Sequence, residues 1–199
     1  MGGPDVGRTI AQMSMSLDGY IADEQDDCSE LFGHYDSGNV PVENPSAGIT
    51  MHMSDTDARL YQDALASTGA YLMGRRLYDL VNGWNGHPPS PDPVVVLTHG
   101  PPPDPPTGGV EYAFADTIEE AVATARRLAG DGNVSIAGGQ VARAALDAGL
   151  LDEIVVDLIP VILGAGKPWF AGADGPVRLD DPEVTVDAGV THLRYVVRR

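Results

Sequence analysis

The run Asn133 to Leu146, NVSIAGGQVARAAL, constrains the fold more than any other stretch, because a β-branched segment meets two glycines and passes at once into an alanine-rich helical pattern. It predicts a strand, a glycine turn and a helix. Adjacent glycines let the chain turn sharply and let another group come against bare backbone. The following helix aims its unbonded N–H groups and positive dipole end at the same space, which favours an anion such as a phosphate. A tight turn that needs glycine for geometry alone accounts for the pair equally well, since the three spaced glycines of the dinucleotide fingerprint are absent.

Several other segments alternate in the same way. Arg8 to Ser16, Ala70 to Met73, Val94 to Thr98 and Glu153 to Ile159 read as strands, the later ones as apolar runs covered on both faces. Ser54 is placed to cap a helix with Asp57 at capping-box spacing; Leu60, Tyr61, Ala64 and Leu65 give that helix a buried face, and Gly69 reads as its end. Thr117 and Glu120 repeat the box before an amphipathic helix that runs to Ala129. A second helical turn is expected at Leu77 to Val81. Glu183 to Asp187 and Thr191 to Arg198 flank Ala188-Gly189-Val190 as a hairpin. Strands alternating with helices and closed by a hairpin imply an α/β fold, a mostly parallel sheet with helices on both faces and an antiparallel C-terminal edge. The 199 residues hold no linker-like break, so a single domain over 1–199 is expected, with residues 1–7 as a disordered tail. Ala22 to Met53 is polar and without period and reads as a long loop able to cover a site. Asn82 to Pro93 and His99 to Gly109 read as loops with no structure of their own.

Ligands in such a sheet bind beyond the carboxyl ends of the strands. Asp18, Arg75, Thr98 and Gly138 each follow one of those ends. Asp18 reads first as a turn residue before Gly19, and Arg75 with Arg76 as a phosphate clamp or as a surface pair balanced by Asp79. Trp84 is an anchor for its loop or a lid over a pocket. Asp157 stands alone in the apolar strand Glu153 to Ile159 and there needs a partner or a wet cavity. A net charge of −17, from 12 basic and 29 acidic residues, opposes nucleic acid and anionic membrane surfaces, so any anionic ligand must be held locally. No run is long and apolar enough to span a membrane and no signal peptide is visible, which makes a cytoplasmic location the expectation. The single Cys28 excludes an internal disulfide or a multi-cysteine metal cage, and no metal is expected.

The motifs Ser16-Leu17-Asp18-Gly19-Tyr20-Ile21-Ala22, Leu72-Met73-Gly74-Arg75-Arg76-Leu77-Tyr78, Ala137-Gly138-Gly139 and Pro160 to Pro168 occur in the order seen in the dihydrofolate reductase-like superfamily. The chain most resembles the reductase domain of the riboflavin-pathway deaminase-reductases, from about Arg8 to Arg198. The resemblance implies a dihydrofolate reductase-like fold and an NADPH-dependent reductase that hands hydride to a small polar, nitrogen-heterocyclic substrate of pterin or pyrimidine type. A non-catalytic ligand-binding dimer that keeps the fold is the alternative, and a deazaflavin stays open as the hydride donor. By position, the resemblance assigns Gly74, Arg75 and Arg76 to the adenosine 2′-phosphate, and Thr98 and His99 to the adenosine site. It places Ala137, Gly138, Gly139, Gln140 and Val141 at the pyrophosphate, with Ala137 in place of a common glycine and Leu77 in place of a common threonine. It places the catalytic carboxylate of folate-reducing relatives near Asp55 or Asp57, and makes Asp18, Asp57 and Asp157 the candidate catalytic acids and Tyr20, Trp84 and Asp157 the substrate contacts. It also implies a homodimer formed through the C-terminal strands and the Pro160 segment.

Overall fold

The computed structural model describes residues 7–170, 172 and 175–198. Of the expected N-terminal tail at 1–7, residues 1–6 lie outside the described residues. An eight-stranded sheet runs in the order β6-β5-β4-β7-β1-β8-β10-β9. Its strands are β1 (Thr9–Ser16), β4 (Thr68–Gly74), β5 (Val94–Leu97), β6 (Tyr112–Ala115), β7 (Asn133–Ala137), β8 (Glu153–Ile159), β9 (Glu183–Asp187) and β10 (Val190–Val196). β1 lies between β7 and β8 and is parallel to both, and the pairs β4–β7, β4–β5 and β5–β6 are parallel as well. β10 turns back antiparallel to β8 and β9 to β10, the C-terminal hairpin expected from the alternation around Gly189.

Period-two alternation sorts the strands onto two faces. Ala11, Leu72, Val95, Ile136 and Val156 point to one side and pack with α3 (Ile118–Ala129) and α4 (Gly139–Asp147). Their neighbours Tyr71, Met73, Val94 and Val96 point to the other side, where they meet Tyr78 of α2 (Arg75–Leu80). α1 (Asp55–Ser67) covers this second face further along, over β1, β7 and β8. The Thr117 hydroxyl accepts from the Glu120 N–H and caps α3 as its sequence predicts. Ser54 likewise caps α1, accepting from the Asp57 N–H at 3.0 Å. α1 ends at Ser67, not Gly69; the glycine lies inside β4, where a Cβ would stand 2.5 Å from the Ala129 carbonyl oxygen.

Two expectations of unstructured chain are corrected. The stretch 22–53 carries two 3-10 turns, Ser29–Leu31 and Gly33–Asp36, and the antiparallel pair β2 (Val40–Asn44) and β3 (Ile49–Met53). Val42, Met51 and Met53 pack with Ala58 of α1 as a small core of their own, so the segment is anchored to the helix. The Asn82–Gly86 turn forms where Gly83, Trp84 and Asn85 all adopt positive φ, and it packs Trp84 edge-on to Tyr71 with ring centroids 5.6 Å apart.

Candidate functional site

The parallel pairings bring the carboxyl ends of β1, β4, β5, β7 and β8 to one edge, and the residues read as cofactor ligands gather there. Gly74 lies against α4: a Cβ on it would meet the Val141 side chain at 3.1 Å. The Arg75 Nη1 and the Thr98 Oγ1 both donate to the Gly100 carbonyl, at 2.9 and 2.8 Å, which joins the ends of β4 and β5. Arg75 also grips Asp79 through Nε at 2.8 and 2.9 Å. Arg76 is held by Asp26, whose carboxyl the hydrogen bond from Arg76 pulls below the usual aspartate range against the opposing effect of burial. Both guanidiniums are exposed ion pairs, which a phosphate dianion has the charge to compete for.

The two glycines of the turn do different work. Gly138 has φ 100° and ψ 146°, a conformation that only glycine adopts without strain, and a Cβ there would meet only the Leu77 side chain, 4.0 Å away. No side chain caps α4, so its first N–H groups open onto this space. At Gly139 the added atom would stand 2.8 Å from the Trp169 carbonyl oxygen and 3.3 Å from that of Pro168. The close approach at Gly139 is therefore to the 168–169 backbone of the protein itself, not to open space.

Asp18 sits at the same edge as a loop tie. Its carboxylate accepts from Ser16 Oγ at 2.6 Å, from the Leu163 N–H at 3.1 Å and from the Gly164 N–H at 2.7 Å. The Ser16 hydrogen bond, with those from Gly164 and Leu163, lowers its pKa from the ordinary aspartate value against a smaller effect of burial. These bonds favour the ionised carboxylate and tie the 16–22 and 160–168 segments together. Tyr20 bridges Pro168 across the same junction. Trp84 belongs to the cluster around Tyr71 and Tyr78, as an anchor.

Asp57 and Asp157, read from separate elements, are brought together. The register sets Ser14 opposite Asp157, Asp157 opposite His192, and His192 opposite Thr185, one row across β1, β8, β10 and β9. Residues directly opposite share a face, and this row lies under the start of α1. The His192 Nδ1–H donates to Asp157 Oδ1 at 2.7 Å, and its Nε2 lies 3.9 Å from Asp57 Oδ1. The other oxygen of Asp57 accepts from His34 Nδ1 at 2.8 Å. The capping box on α1 is thus half formed: Ser54 caps, while the Asp57 carboxylate turns to histidine instead of to the Ser54 N–H. All four side chains are buried, at 3–8% exposure, and among the described residues His34 Nε2 and His192 Nε2 have no hydrogen-bond partner. Tyr35 lies beside Ser14, and burial first, then the charges of Asp157, Tyr61 and Asp57, raises its pKa well above the ordinary value, so it stays a neutral hydroxyl. Burial lowers the pKa of His192, but the Asp157 hydrogen bond and the charges of Asp157, Asp57 and Asp187 outweigh it and leave the imidazole above the ordinary histidine value. A cavity of about 450 Å³ between α1 and the sheet reaches this group, with Asp157 and His192 in its wall and Gln12, Ser135 and Thr185 beside them.

Sequence reasoning found both aspartates and missed both histidines. The signal for His192 was present, since an acid inside an apolar strand needs a partner and the hairpin supplies the neighbouring strand. Nothing in the aperiodic stretch 22–53 pointed to His34. Among the described residues no group of three or more metal-ligating side chains is placed to hold a metal ion, and no helix is long and apolar enough to cross a membrane. Cys28 is half-buried and its thiol is pushed up, first by burial and then by the charge of Asp27. Iodoacetamide at pH 7.5 is expected to alkylate it several-fold more slowly than free cysteine, as followed by mass spectrometry.

The family described as the RibD C-terminal domain matches residues 8–193. Among solved structures, a Shewanella protein assigned to riboflavin biosynthesis superposes with a TM-score of 0.71 at 24% identity, over 96% of this chain and 99% of its own. The Thermotoga maritima diaminohydroxyphosphoribosylaminopyrimidine deaminase/5-amino-6-(5-phosphoribosylamino)uracil reductase matches at 0.64 and 15% identity, and there this chain spans 96% of its own length but 57% of the relative. Dihydrofolate reductase of Enterococcus faecalis, in complex with NADP(H), matches at 0.58 and 19% identity over 98% of both chains. These likenesses show the dihydrofolate reductase-like fold. A comparison with curated proteins finds no match.

Proposed function

The chain belongs to the RibD C-terminal domain family, and from that premise we propose that it is an NADPH-dependent reductase acting on a small polar, nitrogen-heterocyclic substrate of pterin or pyrimidine type. The observation that carries the reading is the convergence of Asp57 and Asp157 on His192, in a buried polar group reached by a cavity under α1. Burial at this density of charge is costly unless the groups have work to do.

The residues at the strand ends fit the cofactor. Gly138 leaves open space in front of an uncapped helix start, and Arg75 and Arg76 stand beside it on the neighbouring strand end. In this reading the arginines take the 2′-phosphate, Gly74, Thr98 and His99 line the adenosine, and Ala137, Gly138, Gly139, Gln140 and Val141 form the wall at the pyrophosphate. The bound nicotinamide supplies hydride. The chain itself orients the substrate against Ser14, Asp157 and Tyr20, keeps water out by burial, and holds a proton within the histidine–aspartate group.

A homodimer and a cytoplasmic setting belong to the same reading. Val184 and Val186 are exposed on β9, at the sheet edge, and Leu17 and Ile162 are exposed at the Asp18 junction, apolar surface that a second copy would cover. Light scattering at micromolar concentration is expected to give twice the chain mass. The apolar Leu77 beside Gly138, where a hydroxyl would serve a pyrophosphate better, favours the second reading of a ligand-binding dimer without turnover.

Titration with NADPH and NADH decides between binding and none. Saturable quenching with preference for NADPH supports the reading; binding of neither sinks it, and binding of a deazaflavin alone moves the cofactor assignment. Arg75→Ala is expected to weaken NADPH about tenfold or more while leaving NADH nearly unchanged. Equal weakening of both would remove the 2′-phosphate assignment. NADPH oxidation screened against pterins, aminopyrimidines and quinones then identifies the substrate class.

A further inference from the structure

We propose that His192, rather than either aspartate, is the proton donor of the site, a proposal that rests on the reductase reading above. Asp157 Oδ1 accepts from His192 Nδ1, and Asp57 Oδ2 accepts from His34 Nδ1. Each aspartate thus has an imidazole at one oxygen. The Nε2 atom of His192 is the polar atom in this group that faces an acid, Asp57 Oδ1, without bonding to it. Their separation of 3.9 Å is too long for a direct hydrogen bond, and a single interposed nitrogen or oxygen would close it. An unsatisfied nitrogen this deeply buried costs free energy in the unliganded protein, and a substrate atom placed there recovers it.

Groups from the packed elements face the imidazole, Asp157 from β8, Asp57 from α1, Asp187 from β9 and His34 from the Gly33–Asp36 turn, while Tyr35 of the same turn interacts with Asp157 and Asp57. Three of these are carboxyl groups whose charges favour the imidazolium. Asp157 fixes the ring so that Nδ1–H is always its donor, which leaves Nε2–H as the proton to be given away. His34, edge-on to His192 with ring centroids 6.5 Å apart, is tied to Asp57 and keeps that carboxylate in place.

The step balances. As a substrate C=N carbon accepts hydride from the reduced nicotinamide, the π pair moves to nitrogen. That nitrogen takes the proton from His192 Nε2–H, and the N–H bonding pair stays on Nε2. The product is the saturated amine and a neutral imidazole still donating Nδ1–H to Asp157; a solvent proton restores the imidazolium.

Two readouts test this. In ¹⁵N-imidazole NMR of the unliganded wild-type protein, His192 is expected to stay doubly protonated to higher pH than a free histidine, about 6.5, and Asp157→Asn should shift its titration downward. A ring that is neutral throughout pH 5–8 overturns the proposal. The second readout is NADPH oxidation with 7,8-dihydropterin, or with the fastest acceptor of the panel. Wild-type kcat/KM should fall as pH rises through the His192 titration, and His192→Gln should lose about 10²–10⁴-fold in kcat and lose that limb, with NADPH affinity held within twofold. Retained rate or an unchanged pH profile in His192→Gln overturns the donor role while the NADPH titration leaves the reductase reading standing. A wild type that neither binds NADPH nor oxidises it with any acceptor overturns both.

Discussion

Gly139→Ala is expected to destabilise the protein by about 2 kcal/mol in the absence of any ligand, the cost of overpacking a site that cannot relax cheaply. The added methyl would stand 2.8 Å from the Trp169 carbonyl oxygen and 3.3 Å from that of Pro168, with Ile21 Cδ1 at 3.6 Å. The nearer two are backbone atoms of a tightly tied segment. The Trp169 N–H donates to Gly19 O at 3.1 Å, the Lys167 carbonyl accepts from the Ile21 N–H at 2.9 Å, and the Trp169 ring is 2% exposed. Moving the 168–169 carbonyls away would loosen the junction between the 16–22 and 160–168 motifs together with a buried indole. For a chain of this length the change corresponds to a fall in Tm of roughly 4–8 °C, measured by calorimetry on the ligand-free protein. A glycine retained only for a pyrophosphate would behave otherwise, losing NADPH affinity at unchanged Tm. Gly138→Ala is the contrast: the methyl meets nothing nearer than Leu77, so its cost comes from the positive φ and from the ligand side.

That contrast shows how far the sequence could be read. The strand–Gly-Gly–helix at Asn133 to Leu146 was legible because a period-two run changes to a helical one across two residues of low steric demand, and β7 and α4 form there. Which glycine faces a ligand and which faces the chain was not legible, since it depends on the Pro168–Trp169 backbone some thirty positions away. β2 and β3 escaped for a related reason. Pro41 and Asn44 break the apparent period of one strand, and only the pairing of Val42 with Met51 and of Val40 with Met53 shows which residues turn inward. β6 is four residues long and mostly half-buried, too short to set a period. In the site, the conspicuous acids were found because charge in an apolar pattern demands an explanation, whereas His34 comes from a segment with no pattern at all. Asp18 stands out in the sequence as a turn residue at that edge, but its ties to the Leu163 and Gly164 N–H groups were not legible, because they come from a distant loop.

Asp157→Ala should be more damaging still, at about 3–5 kcal/mol, because it leaves a buried imidazolium without its carboxylate. Asp157 and His192 are 5% and 8% exposed, so water cannot replace the lost partner without opening the sheet face under α1. The pH dependence separates this from simple loss of packing. In the native protein His192 carries a raised pKa, the net of burial that lowers it and of the Asp157, Asp57 and Asp187 interactions that raise it by more. A histidine raised on folding contributes stability that is fully present below its unfolded pKa, about 6.5, and is lost as pH rises through the folded value. The gap between wild type and Asp157→Ala should therefore be widest below about pH 6.5 and narrow above it, as both proteins come to hold a neutral ring. Urea unfolding from pH 5.5 to 9 measures the gap directly. A constant difference across that range would mean that Asp157 acts through volume alone. Asp157→Asn, which keeps the volume and an acceptor, should recover part of the loss at high pH and little of it at low pH. The same carboxylate thus orients the imidazole and sets the pH range over which the fold is most stable, so stability and proton supply are tied to one hydrogen bond.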